Sequence, residues 1–86
     1  MDDETLKKFA YVNISNYRIK AVNSLKESDK TPTQLAKDSD IRVNHISKVL
    51  KELKNYEIAE CINEEKRKNR IYRLTSLGHE IVDYLD

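Results

Sequence analysis

Between Arg42 and about Tyr56, the residues Ile46, Val49, Leu50 and Leu53 recur at i, i+3, i+4 and i+7. That spacing lays one apolar stripe along a helix and leaves the remaining surface polar. The stripe has to be covered by other parts of the chain, and 86 residues have room for one modest core. At this size folding removes only about 60 to 65% of the unfolded chain's surface from water. Hydrophobic residues at 38% against charged residues at 36% allow collapse into a globular domain rather than persistent disorder.

The segments around the stripe predict its neighbours. Ser15 is a good N-cap for a helix ending near Glu27, with Ile19, Val22 and Leu25 on one face. After the polar link Ser28-Asp29-Lys30, Thr31 caps a short helix with Pro32 at its first position, where a missing N–H costs nothing. That helix runs to about Lys37 with Leu35 and Ala36 inward, and Asp38-Ser39-Asp40 breaks it before the single anchor Ile41. Ile58 to Asn63 and Arg70 to Leu74 are β-prone and read as an antiparallel hairpin whose tip is the charged run Glu64 to Asn69. Which residues of its strands face the core stays open. Asn69 is the tip residue best suited to a left-handed turn. Thr75 caps a last helix carrying Leu77, Ile81, Val82 and Leu85. In front, residues 1–14 form a helix or an arm around Leu6, Phe9 and Ala10, and 15–86 form the main domain.

A short helix, a tight turn and a longer helix make a helix-turn-helix, and a hairpin directly after it makes a winged one. The expected fold is therefore α+β, mostly α: a three-helix core with a two-stranded wing and terminal helices. Stepping about 100° per residue from Ile46, the outer face of the longer helix carries Asn44, Lys48, Lys51 and Asn55, with Ser47 beside them and no carboxylate. Amide, hydroxyl and ammonium groups have the chemistry to read a DNA major groove. The net charge is only +1, from 16 basic against 15 acidic residues, but Glu64 to Arg73 gathers five basic residues, Lys66, Arg67, Lys68, Arg70 and Arg73. This cluster suits phosphate contact, or alternatively a charged hairpin tip that keeps its edge from pairing.

Several function classes are excluded by what is scarce. One glycine, Gly78, rules out dinucleotide fingerprints and Walker-type phosphate loops. One cysteine, Cys61, rules out an internal disulfide or a multi-cysteine zinc site. In His79-Glu80-Ile81-Val82-Asp83, Asp83 stands where a metalloprotease motif needs its second histidine. No nucleophile–base pair is readable, so no enzyme activity, metal or cofactor is expected. Cys61 reads as a small buried hydrophobe or, less favoured, a redox thiol. The five tyrosines read as half-buried packing residues. No apolar run reaches the ~18 residues of a membrane span and the acidic start is unlike a secretory signal, so a cytoplasmic location with no membrane contact is expected. Gly78 costs about 1 kcal/mol in a helix relative to Ala, which predicts close packing beneath the wing.

The segments TPTQLAKDSDIRVNHISKVLKELKNYEIAEC and RIYRLTSLG, preceded by YRIKAVNSL, resemble archaeal winged-helix regulators of the MarR and ArsR types. The resemblance runs from about Tyr17 to Leu85 and is most specific in TPTQLA, HISKVLKEL and YRLTSLG. It implies a transcription factor that binds double-stranded DNA in a sequence-specific way, commonly as a homodimer. Carried over, Arg42, Val43, Asn44, His45, Ser47 and Lys48 fall in the groove-entering half of the recognition helix, with Lys51 further along. Thr31, Thr33 and Gln34 fall where the preceding helix meets phosphate, and Lys66, Arg67, Lys68 and Arg70 fall on the wing. Where such regulators commonly have glycine before the wing, this chain has Glu57-Ile58-Ala59, and the wing turn lacks one as well. Metal sensing of the ArsR type needs ligand sets that are absent from this sequence. Leu6, Phe9, Ala10, Ile81, Tyr84 and Leu85 are the candidate dimer contacts. The reading from another class is a winged-helix module that binds protein in a larger transcription or processing assembly.

Overall fold

The computed structural model describes residues 2–85. Five helices and a two-stranded sheet follow in the order α1 (Asp3–Asn13), α2 (Asn16–Glu27), α3 (Pro32–Ser39), α4 (Val43–Asn55), β1 (Ala59–Cys61), β2 (Tyr72–Leu74) and α5 (Ser76–Tyr84). Helices α2, α3 and α4 pack on one another, β1 and β2 form the wing base, and α1 and α5 pack together over α2. This is the winged helix-turn-helix architecture expected of the sequence.

Four of the five helices start where a side chain accepts a backbone N–H that would otherwise be unpaired. Asp2, Ser15 and Thr75 each cap the helix that follows. Thr31 and Gln34 form a reciprocal capping box at α3, with Pro32 at the first position. Helix α3 runs two residues beyond Lys37 and closes at Asp40, which takes a left-handed φ of 57° and donates its N–H to the carbonyls of Ala36 and Lys37. The stripe of α4 is wholly buried at Ile46, Val49, Leu50 and Leu53. It meets Val12 of α1, Val22 and Leu25 of α2, Leu35 of α3, and Ile81 and Val82 of α5 in one core.

A polar lock fixes α2 to α3. The Ser24 hydroxyl donates to the Asp38 carboxylate, and the Lys30 ammonium donates to the Ser24 carbonyl while lying 3.6 Å from the same carboxylate. The Ser24 hydrogen bond, followed by the Lys30 charge, holds the Asp38 carboxyl below its ordinary value. Lys30 also exchanges two backbone hydrogen bonds with Tyr72, at 3.0 and 2.8 Å, so β2 is flanked by β1 on one side and by a one-residue bridge on the other.

Helix α1 is held by stacking. The Arg18 guanidinium lies 3.7 Å from the centre of the Tyr11 ring, and the Tyr56 ring lies parallel to it at 3.9 Å. Groups that close cannot share a face, so Tyr11 is sandwiched between α2 and the end of α4.

The strands are shorter than the β-prone stretches that contain them: past Cys61 one more backbone hydrogen bond joins the Ile62 N–H to the Ile71 carbonyl at 2.9 Å, and beyond it the Asn63 side chain takes over the ladder's role. Asn63 accepts from the Ile71 N–H at 2.7 Å and donates to the Asn69 carbonyl at 3.2 Å. Asn69 takes the left-handed conformation, with φ at 58°. Glu57 does so as well, at 61°, in the turn between α4 and β1. Gly78 lies beneath the wing: a Cβ there would stand 2.2 Å from the Ile58 carbonyl oxygen, which confirms the expected close packing.

Candidate nucleic-acid interface

The buried stripe of α4 turns Asn44, Ser47, Lys48, Lys51 and Asn55 outward, and all five are exposed. Arg42 occupies the N-cap without a side-chain capping hydrogen bond, and Val43 follows at the first helical position with 47% of its surface open. His45 is exposed two residues further on, with the Tyr17 ring 5.6 Å away. The helix presents a strip of polar and basic groups, bounded on each side by an ion pair.

On one side, the Lys54 ammonium hydrogen-bonds the Glu64 carboxylate at the root of the wing loop. That contact holds the Glu64 carboxyl below its usual range and the Lys54 ammonium above its own. On the other side, Glu52 lies 3.4 Å from the Arg18 Nε, an ion-pair contact to α2. Both carboxylates next to the strip are thus engaged by cations of the same chain, and the strip itself carries none.

In the wing, Lys66, Arg67 and Lys68 are exposed. Arg70, grouped with them in the sequence, serves a different purpose: its guanidinium turns inward and donates to the carbonyls of Lys66 at 2.7 Å and Glu64 at 3.1 Å. Arg70 and Asn63 together close the wing loop. Sequence reasoning missed the Asn63 role, for which the only available signal was an asparagine beside a hairpin tip. Arg73 pairs across the strands with Glu60 at 2.8 Å.

Thr31, Pro32 and Thr33 at the start of α3 share an open groove of about 360 Å³ with Arg67, Lys68, Asn69, Arg70 and Tyr72. The side chains of Thr31 and Gln34 are engaged in the capping box, whereas Thr33 is exposed. The structure therefore brings the start of α3 and the wing tip to one surface.

The candidate dimer residues divide. Leu6 and Tyr84 are 52% and 55% exposed, Ala10 is exposed, and Phe9 meets Tyr84 edge to face at 6.5 Å. Leu85 is half-buried against the core. Ile81 is a correction: it is fully buried within the single chain, because the face of α5 that carries it packs inward with Val82. Cys61 is half-buried and directs its thiol to the Asn63 side-chain oxygen, so it is not the fully buried hydrophobe expected. Tyr17, Tyr56 and Tyr84 are likewise more exposed than expected, at 44%, 40% and 55%. Among the described residues, no group of three or more His, Cys, Asp or Glu is arranged to hold a metal, and no helix is long and apolar enough to cross a membrane.

No family model matches this chain, and no curated protein matches it significantly. Among solved structures, a MarR family transcription regulator superposes with a TM-score of 0.75 at 20% sequence identity, over 92% of this chain. The chain spans about half of that protein, 54% of its length. The two share the winged-helix fold, with the order of helices and wing described above.

Proposed function

We propose that this chain binds double-stranded DNA as a sequence-specific transcription regulator, with α4 in the major groove and the wing on the adjacent backbone or minor groove. The observation that carries the reading is the exposed, carboxylate-free strip on α4 beside an exposed basic wing. Asn44 suits bidentate pairing with adenine, Ser47 and Lys48 suit base-edge or phosphate contact, and the open Val43 side chain suits a thymine methyl. Thr33 and the wing cations Lys66, Arg67 and Lys68 suit phosphate, which fixes register without reading sequence. Resemblance to MarR-type regulators in sequence pattern and likeness to one of them in fold support the same assignment. Leu6, Ala10 and Tyr84, with Phe9 and Leu85 behind them, form the apolar surface through which two copies would pair, giving half-sites about one helical turn apart.

The test is a titration of a labelled random-sequence duplex pool at two salt concentrations, with wild type, Lys48→Ala and a Lys66→Ala/Arg67→Ala/Lys68→Ala variant. The expected result is binding that weakens steeply with salt, loses sequence preference in Lys48→Ala and weakens evenly across sequences in the wing variant. Folded protein that binds no duplex at either salt shifts the assignment to a protein-binding module, for which the open Val43 would serve as an apolar anchor.

A further inference from the structure

A helix with its side chains is about 10 to 12 Å across and the major groove of B-DNA is about 12 Å wide, so a helix seated there has a phosphate backbone against each of its flanks. Helix α4 has two distinct flanks. The one that carries Lys54 is tied to the wing through Glu64. The opposite flank, roughly 240 to 260° round from Ile46 by the helical step, carries His45 and Glu52. There Glu52 is neutralised by Arg18, and the exposed His45 has the Tyr17 ring of α2 beside it at 5.6 Å and 59°. Tyr17 is 44% exposed, an apolar ring resting on a neighbour with a polar tip. The charge on this flank suits a polyanion: Arg42 and Lys48 stand one turn either side of His45, Lys20 stands one turn along from Tyr17, and all three are exposed.

We infer that Tyr17, supported by His45, forms a second backbone clamp opposite the wing, its hydroxyl donating to a phosphate of the duplex strand the wing does not hold. The inference rests on the DNA reading above and adds to it a contact from α2, outside the recognition helix and the wing. A neutral hydroxyl releases no counterion, so this clamp differs from the wing in its response to salt as well as in position.

The test compares wild type, Tyr17→Phe and Tyr17→Ala on one duplex selected from a random pool and on a scrambled duplex, each at two salt concentrations, with melting temperatures to verify folding. Tyr17→Phe keeps the ring on His45 and removes only the hydroxyl. It is expected to bind about three- to tenfold more weakly on both duplexes, the range of one hydrogen bond, with an unchanged salt slope. Tyr17→Ala is expected to lose more, because His45 also loses its support. Tyr17→Phe binding within twofold of wild type overturns the clamp, and so does a loss confined to the selected duplex, which would place Tyr17 on a base edge. Wild-type protein that binds neither duplex overturns the DNA reading itself, an outcome distinct from failure of the clamp alone.

Discussion

A methyl group on Gly78 has nowhere to go. Its nearest neighbour at 2.2 Å would be a backbone oxygen, Ile58, that already accepts hydrogen bonds from Thr75, and the Leu74 side chain is 3.1 Å away. Gly78→Ala is therefore expected to destabilise the domain by about 1 to 3 kcal/mol, overpacking outweighing the better helix propensity of alanine. An unchanged or raised melting temperature would refute this account. Glu57 presents the opposite case, a bulky residue held at a φ of 61°. Left-handed backbone costs an L-residue roughly 1 to 2 kcal/mol, which exceeds the entropy glycine adds to the unfolded chain. Its ion pair with Lys8, at 3.5 Å and with Glu57 81% exposed, adds little. Glu57→Gly should raise the urea midpoint by an amount corresponding to about 0.5 to 1 kcal/mol.

Helices α2, α3 and α5 were legible because two local signals agree in each, a periodic apolar stripe and a capping residue at its head, whereas α4 was legible from its stripe alone. Thr31-Pro32 before Leu35 and Thr75 before Leu77 needed no tertiary information to be read. The outer strip of α4 was legible for the same reason, since naming the buried face of a helix names the exposed one. What escaped reading depends on contacts that no local pattern specifies, whether across the chain or within the wing loop. Nothing local in Lys30 announces a bridge to Tyr72, forty-odd positions later, and nothing in the wing's run of basic residues separates the inward Arg70 from the outward Lys66, Arg67 and Lys68. Ile81 was misplaced because a stripe shows which residues seek cover but not whether the same chain or a second copy supplies it. The lock between α2 and α3 makes a prediction at this scale. Asp38 binds its proton more weakly folded than unfolded, so its contribution is fully present above about pH 3.8 and is lost as pH falls through its lowered folded value. Asp38→Asn should accordingly lower the melting temperature at pH 6 and flatten its decline as the pH is taken below about 4. Equal acid slopes in the two proteins would remove the lock from the account.

For the whole molecule, a net charge of +1 means that the proposed attraction to DNA would come from how charge is segregated and not from how much there is. If Lys51, Lys66, Arg67 and Lys68 each meet a phosphate while Lys48 reads a base, the logarithm of the binding constant should fall against log salt with a slope of about −3.6 per protomer. Removing the three wing cations should reduce that slope by between about two and three, and a slope insensitive to the wing would argue against backbone contact there. Pairing through Leu6, Ala10 and Tyr84 predicts a dimer by sedimentation velocity at micromolar concentration and a monomer for Leu6→Glu. A monomeric wild type would count against that interface. The chain contains five tyrosines, one phenylalanine and no tryptophan, so its near-ultraviolet absorption and emission are dominated by phenol rings. Two of those rings, Tyr11 and Tyr56, lie 7° from parallel, close enough for their electronic transitions to couple. The C-terminal end of α4 therefore carries a built-in optical reporter, through which unlabelled protein can show by circular dichroism whether occupying one end of α4 disturbs the other.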